Sequence, residues 1–228
     1  MPARLLSAIL LASLVDLSMV SAAEPAKPVS LRKGDHVIFL GDSITAYADA
    51  PHSWVGMVRA KVGEAHKDYG LRVLNAGVSG NTVTDLAARL ETDVLAKKPT
   101  VVFIYIGIND VWKNATTEEK YEATLKEIIG KIQKAGARVI VASPSVIGEK
   151  KDGGNELDAK LDKYAGICRK VAAETGSSFC DIRKAFVDHI QANNKENKES
   201  GLLTTDRVHV SPAGDKLLAE VALKALGE

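Results

Sequence analysis

The sequence has little of what marks specialised chains. Only 5% of its 228 residues are aromatic, too few for a base-stacking surface. Lys and Arg number 30 against 29 Asp and Glu, and the resulting net charge of +1 supplies no field that would draw the chain to nucleic acid or an anionic membrane. Seven prolines and 18 glycines exclude collagen-like and low-complexity chains. There is no internal repeat. Cysteine is nearly absent as well, with only Cys168 and Cys180. Cys168 falls on the apolar stripe of a predicted helix with Leu157, Leu161, Tyr164 and Val171, and Cys180 falls in a short predicted strand. A helix and its neighbouring strand usually hold their Cα atoms too far apart for a disulfide, so two buried thiols are expected. What remains is 46% hydrophobic and 26% charged, an ordinary globular composition. A chain of this length buries roughly 70% of its unfolded surface and needs neither cross-links nor a metal to fold.

A long apolar run occurs at the N-terminus. Arg4 precedes apolar residues 5–15, and Ser21-Ala22-Ala23 offers small residues for cleavage. Asp16 interrupts the run, and a membrane span needs about 20 apolar residues, so residues 1–23 read as a cleaved signal peptide rather than an anchor. The mature protein is then expected to be secreted or periplasmic, without stable membrane insertion. Pro25, Lys27 and Pro28 mark residues 24–33 as a linker, and residues 34–228 form one domain.

Along that domain the hydrophobic period alternates. Short aliphatic runs at residues 36–40, 72–74, 100–106, 137–142 and 178–182 predict strands. Val37-Ile38-Phe39-Leu40, Val101-Val102-Phe103-Ile104 and Val139-Ile140-Val141 are continuously apolar, as strands buried on both faces should be. Residues 83–95 and 117–134 carry apolar positions at spacings of three and four, and Ser211-Pro212 opens a last helix as N-cap and first turn. Alternating strands and helices predict an α/β fold, a parallel sheet covered by helices on both faces. The polar stretches 148–156 and 192–201 read as solvated surface loops. In an open sheet of this kind, ligands bind beyond the carboxyl ends of the strands.

Four candidate motifs lie there. Gly41-Asp42-Ser43-Ile44 follows the first strand, where a glycine permits a sharp turn that presents Ser43, either as a nucleophile or simply as a helix cap. Asn75-Ala76-Gly77-Val78-Ser79-Gly80-Asn81-Thr82 follows the second; its glycines allow a backbone amide to approach a ligand, or merely turn the chain into a helix capped by Asn81 or Thr82. Gly107-Ile108-Asn109-Asp110 follows the third, and the Asn109 amide can donate a hydrogen bond without bringing a charge, or close an Asx turn. Asp206-Arg207-Val208-His209 precedes the last helix. A carboxylate three residues before a histidine can hold one ring nitrogen and leave the other as a base. His36, His52, His66 and His189 have no such neighbour and read as surface residues. Tyr47, Trp54 and Trp112 lie near the motifs and either line a pocket or pack.

Together these blocks resemble the SGNH, or GDSL-type, esterase and lipase superfamily, over residues 34–227. Ile44 stands in place of that family's Leu. The resemblance implies a flavodoxin-like three-layer sandwich with a five-stranded parallel sheet. It also implies a catalytic Ser43, Asp206 and His209, an oxyanion hole from Ser43, Gly80 and Asn109, and substrate-facing Asp42, Tyr47 and Trp112. Gly77 competes with Gly80 for the oxyanion role, and the Ser-Gly-Asn context favours Gly80. Neither a cofactor nor a metal is expected. The expected activity is hydrolysis of small esters, with acetylated carbohydrates as a candidate substrate. Longer acyl chains, as in a lysophospholipase or thioesterase, and a non-catalytic binding domain are the alternatives.

Overall fold

The structure, a computed structural model, describes residues 27–228. The signal peptide expected over residues 1–23 lies outside the described residues. The chain runs β1 (His36–Gly41), α1 (Ser43–Ala46), α2 (Trp54–Ala65), β2 (Arg72–Gly77), α3 (Val83–Asp93), β3 (Val101–Tyr105), α4 (Ile108–Trp112), α5 (Glu118–Lys134), β4 (Arg138–Ala142), α6 (Asp158–Thr175), β5 (Ser178–Cys180), α7 (Ile182–Asn193) and α8 (Pro212–Ala225). The five strands pair in parallel in the order β2-β1-β3-β4-β5. Helices α3, α5 and α6 pack together in one layer, and α2, α7 and α8 in the other. This is the flavodoxin-like three-layer order, and its topological switch point lies between β1 and β3.

The continuously apolar strands occupy the middle. Every residue of β1 and β3 is buried, whereas β2, at the sheet edge, is only half covered. β2 extends three residues beyond the apolar run that signals it, because Asn75, Ala76 and Gly77 stay in register with Phe39, Leu40 and Gly41. β5 stops two residues earlier than its run, since the Asp181 side chain accepts from the Lys184 amide and turns the chain into α7. Among the described residues, no helix is long and apolar enough to cross a membrane.

Several local expectations change. Val29 and Leu31, inside the stretch read as a linker, are buried, and the Val29 amide donates to the Ala225 carbonyl at 2.9 Å. His36 is buried, its Nδ1 3.0 Å from the Lys97 carbonyl, and burial pushes its pKa down. His66 pairs with the Glu228 carboxylate and stacks on Tyr69. Of the two readings open for Trp54, pocket wall or packing, the structure shows core packing. Its ring packs against Phe39, Phe103 and Tyr105, and its Nε1 donates to the Ile44 carbonyl at 2.9 Å, supporting the turn that carries Ser43. The two polar loops are mostly exposed, as expected, but they meet at a buried contact. Glu149 is fully buried, its amide donates to the Glu199 carbonyl, and Asn194 Nδ2 donates to the Glu149 carbonyl at 2.6 Å. Both cysteines are free and buried, and burial pushes the Cys168 thiol up to about 12.

Candidate active site

β1 ends at the switch point, and Asp42 caps the short helix α1, its Oδ1 accepting from the Ile44 amide at 3.0 Å. That cap sets Ser43 at the first helical position. Its Oγ lies 2.9 Å from His209 Nε2, and His209 Nδ1 lies 2.7 Å from Asp206 Oδ2. The other Asp206 oxygen accepts the amides of Val208 at 3.1 Å and His209 at 2.7 Å. Partial burial raises the Asp206 pKa, but the hydrogen bonds from the His209 ring and from these two amides outweigh it, leaving the carboxyl below its ordinary value. The imidazole therefore has an ionised acceptor on one nitrogen and a hydroxyl on the other, an arrangement that can move a proton off Ser43. The site is open, with the His209 side chain 39% and the Asp206 side chain 54% exposed.

The glycine loop lies against this turn. A Cβ on Gly77 would come 2.2 Å from the Ala46 amide nitrogen, so Gly77 is required for close packing of β2 on α1. Gly80 is further along, at φ +80°, with its carbonyl accepting from Lys113 Nζ at 2.7 Å. Thr82 and Asp85 form a capping box that starts α3. Asn109 Nδ2 donates to the Asn81 carbonyl at 3.0 Å. A primary amide carries two N–H groups, so the second remains for a ligand. Asp110 is buried and accepts from the Val83 amide and from Thr116 Oγ1, fixing α4 against α3. Arg89, which the sequence patterns did not single out, straps the glycine loop to the end of β1. Its Nε donates to Asn81 Oδ1 at 2.7 Å and its Nη2 to the Gly41 carbonyl at 3.0 Å. Asn75 does similar work, with its Nδ2 on the Thr45 carbonyl and its Oδ1 accepting from Gly77.

The three residues expected to face substrate divide. Tyr47 is 66% exposed and Trp112 49%, and with Val78 at 41% they are the exposed large apolar side chains among the described residues. Tyr47 lies against His209, while Val78 precedes Gly80 in the glycine loop and Trp112 ends the helix that carries Asn109. The Tyr47 ring lies 5.7 Å from that of His209, and its hydroxyl is 3.2 Å from Ser79 Oγ, next to Val78. Trp112 adjoins Lys113, which holds Gly80. Asp42, in contrast, is only 1% exposed and turns inward to its cap, so it does not face substrate.

With this geometry in place, comparison with known proteins is decisive. The profile of the GDSL-like lipase/acylhydrolase family matches residues 39–217. The chain belongs to that family. An acetylxylan esterase of Geobacillus stearothermophilus is 32% identical over 222 residues, covering 87% of this chain and 97% of the relative. Esterase TesA of Pseudomonas aeruginosa is 30% identical over 186 residues, covering 81% and 84%. The crystal structure of the acetyl xylan esterase AlAXEase superimposes with a TM-score of 0.81 at 36% identity, covering 84% of this chain and 99% of that one. This GDSL-family chain is thus a carboxylic ester hydrolase with the SGNH fold.

Asp42 sits beside Ser43 and near His209, and its charge state can be tested. Burial pushes its carboxyl up to about 7, with the Ile44 amide and the nearby His209 acting against that rise. A carboxyl whose folded-state pKa lies above its unfolded value of about 4 takes up a proton on folding. Its stabilising contribution is full below about pH 4 and is lost as pH rises to about 7. Asp42→Asn keeps a capping oxygen but cannot ionise. Its melting temperature should therefore gain on the wild type between pH 4 and 7 and level off above. A difference that does not change with pH would show that Asp42 stays ionised throughout.

Proposed function

We propose that this chain is an exported esterase that removes acetyl groups from xylan-type carbohydrates through Ser43, His209 and Asp206. The observation that carries the proposal is the continuous hydrogen-bond chain from Ser43 Oγ through the His209 ring to Asp206. The near full-length likeness to acetylxylan esterases supports the acetyl-carbohydrate substrate. The N-terminal pattern of Arg4, an apolar run and Ser21-Ala22-Ala23 supports export.

In the first step His209 Nε2 takes the proton of Ser43 as Oγ attacks the acetyl carbonyl carbon. Asp206 holds the ring by Nδ1 and stabilises the imidazolium. The oxyanion receives hydrogen bonds from the backbone amides of Ser43 and Gly80 and from the second N–H of Asn109. Collapse of the tetrahedral intermediate expels the sugar oxygen, which takes the proton from His209. A water then gives its proton to His209, attacks the acyl-serine and releases acetate, and Ser43 recovers its proton. Tyr47, Val78 and Trp112 offer an exposed apolar rim on which the C–H faces of sugar rings can lie, while small acyl groups need no deep pocket.

Nitrophenyl esters of two to twelve carbons test the acyl preference. Ser43→Ala should abolish turnover of the acetyl ester, and Asn109→Ala should lower it by about 10²–10³. Equal rates in wild type and Ser43→Ala would overturn the proposal, and a maximum at long chains would replace acetyl with a longer acyl group. Acetate release from acetylated xylo-oligosaccharides tests the sugar. For Trp112→Ala, KM on the oligosaccharide should rise several-fold while kcat/KM on nitrophenyl acetate stays within about twofold. Parallel losses on both substrates would place Trp112 outside sugar recognition.

A further inference from the structure

The loop that carries Asp206 and His209 has no regular secondary structure around it, yet it must hold an imidazole in register with a serine on another element. A narrow hairpin forms there. Thr204 and Val210 make an isolated antiparallel bridge, and the Thr205 amide donates to the His209 carbonyl at 2.8 Å. Asp206 to His209 form the tip, where Arg207 takes the left-handed conformation at φ +81°. Ordinary side chains rarely adopt that region, so the surroundings must enforce it.

The base of this hairpin closes on a buried acid. Glu149, fully buried, accepts four hydrogen bonds from three consecutive residues. Its Oε2 takes the Leu202 amide at 2.8 Å. Its Oε1 takes the Leu203 amide at 2.8 Å, the Thr204 amide, and Thr204 Oγ1 at 2.7 Å. Successive backbone N–H groups curled around one point make an anion-binding nest, and here the chain fills the nest with its own carboxylate. The adjacent residue reaches the tip directly, since the Gly148 amide donates to the Arg207 carbonyl at 2.8 Å. Residues 148 and 149 therefore grip both ends of the hairpin. A buried charge is expensive unless fully hydrogen-bonded, and a carboxylate accepts more such bonds than any neutral side chain of its size. Glutamine would turn an N–H₂ group toward the Leu202 amide.

Taking Ser43, His209 and Asp206 as the triad proposed above, we propose that Glu149 is a positioning residue that fixes the Asp206–His209 hairpin for attack by Ser43. It touches neither substrate nor the reacting atoms. It acts through the 202–204 amides on the geometry of His209, so its loss should fall on turnover more than on substrate binding.

The test uses the full chain, nitrophenyl acetate and the variants Glu149→Gln, Glu149→Ala and Thr204→Val. Glu149→Gln should lower kcat by about 10²-fold, the scale of a misplacement near 1 Å, with KM within about twofold, and Glu149→Ala should lower kcat further. Hydrogen exchange should rise in residues 199–211 while β1 and β3 keep their protection. Thr204→Val, which removes a single donor and leaves the carboxylate, should give a several-fold loss of kcat at unchanged KM, and it remains informative if the Glu149 variants do not fold. Wild-type kcat in Glu149→Gln or in Thr204→Val would overturn the assignment. So would exchange that rises across the whole sheet while kcat per folded molecule stays at the wild-type value. A dead Ser43→Ala beside a fully active Glu149→Gln would sink this assignment alone, whereas a fully active Ser43→Ala would sink the triad itself.

Discussion

The hydrogen bond between His209 Nε2 and Ser43 Oγ joins residues 166 positions apart in sequence, and the rest of the structure is arranged to hold its 2.9 Å length. Neither partner fixes the other. Ser43 is fixed from below by Trp54 on the Ile44 carbonyl, from the side by Asn75 on the Thr45 carbonyl, and from within by the Asp42 cap. His209 is fixed by a hairpin whose tip bonds inwardly to Asp206 and whose base rests on Glu149. The two supports meet through α8. Asp215, in its first turn, accepts the Trp54 amide at 2.9 Å, and Ser211, which caps the helix, donates its hydroxyl to the Leu202 carbonyl. One short helix start thus ties the prop under Ser43 to the loop that carries His209.

The carboxyl groups around this bond show how environment divides labour between identical chemistries. Asp206 is half exposed and amply hydrogen-bonded, so it stays ionised. Asp42 is buried beside Ser43 with one amide on its oxygen, and burial raises it to about 7. Asp110, also buried, is raised despite its bonds to Val83 and Thr116. In the proposed mechanism only Asp206 needs a full negative charge, since it faces the nitrogen that becomes part of an imidazolium. Capping and bracing ask only for an acceptor oxygen, which Asp42 and Asp110 supply whether or not they are charged.

The sheet and the strand-end motifs are legible in the sequence because burial on both faces writes itself as an uninterrupted apolar run. Ser43, Asn109 and the Asp206–His209 pair are legible because each is a chemistry-bearing residue at a strand end or turn. The supports are not. Glu149 sits in a stretch as polar as any solvated loop, and only the folded backbone reveals that three amides converge on it. Arg89 looks like one more charge on the outer face of α3 until its guanidinium is seen to reach Asn81 and Gly41. Nearness to the motif leaves Trp54 either lining a pocket or packing; its ring packs against β1 and β3, and its N–H is the part that matters to the site. His66 and Glu228 meet across 162 positions of sequence, a contact that no local spacing encodes. Long-range polar contacts carry no sequence period, and that is where pattern reading stops.

The most direct test of the central claim is chemical trapping of the intermediate. Nitrophenyl acetate is mixed with the protein, the reaction is quenched in acid within the first turnover, and the intact mass and the peptide masses are recorded. The account expects one added acetyl group, located on the peptide containing Ser43 and absent from Ser43→Ala. Turnover with no acyl adduct, or an adduct on any other side chain, would contradict it.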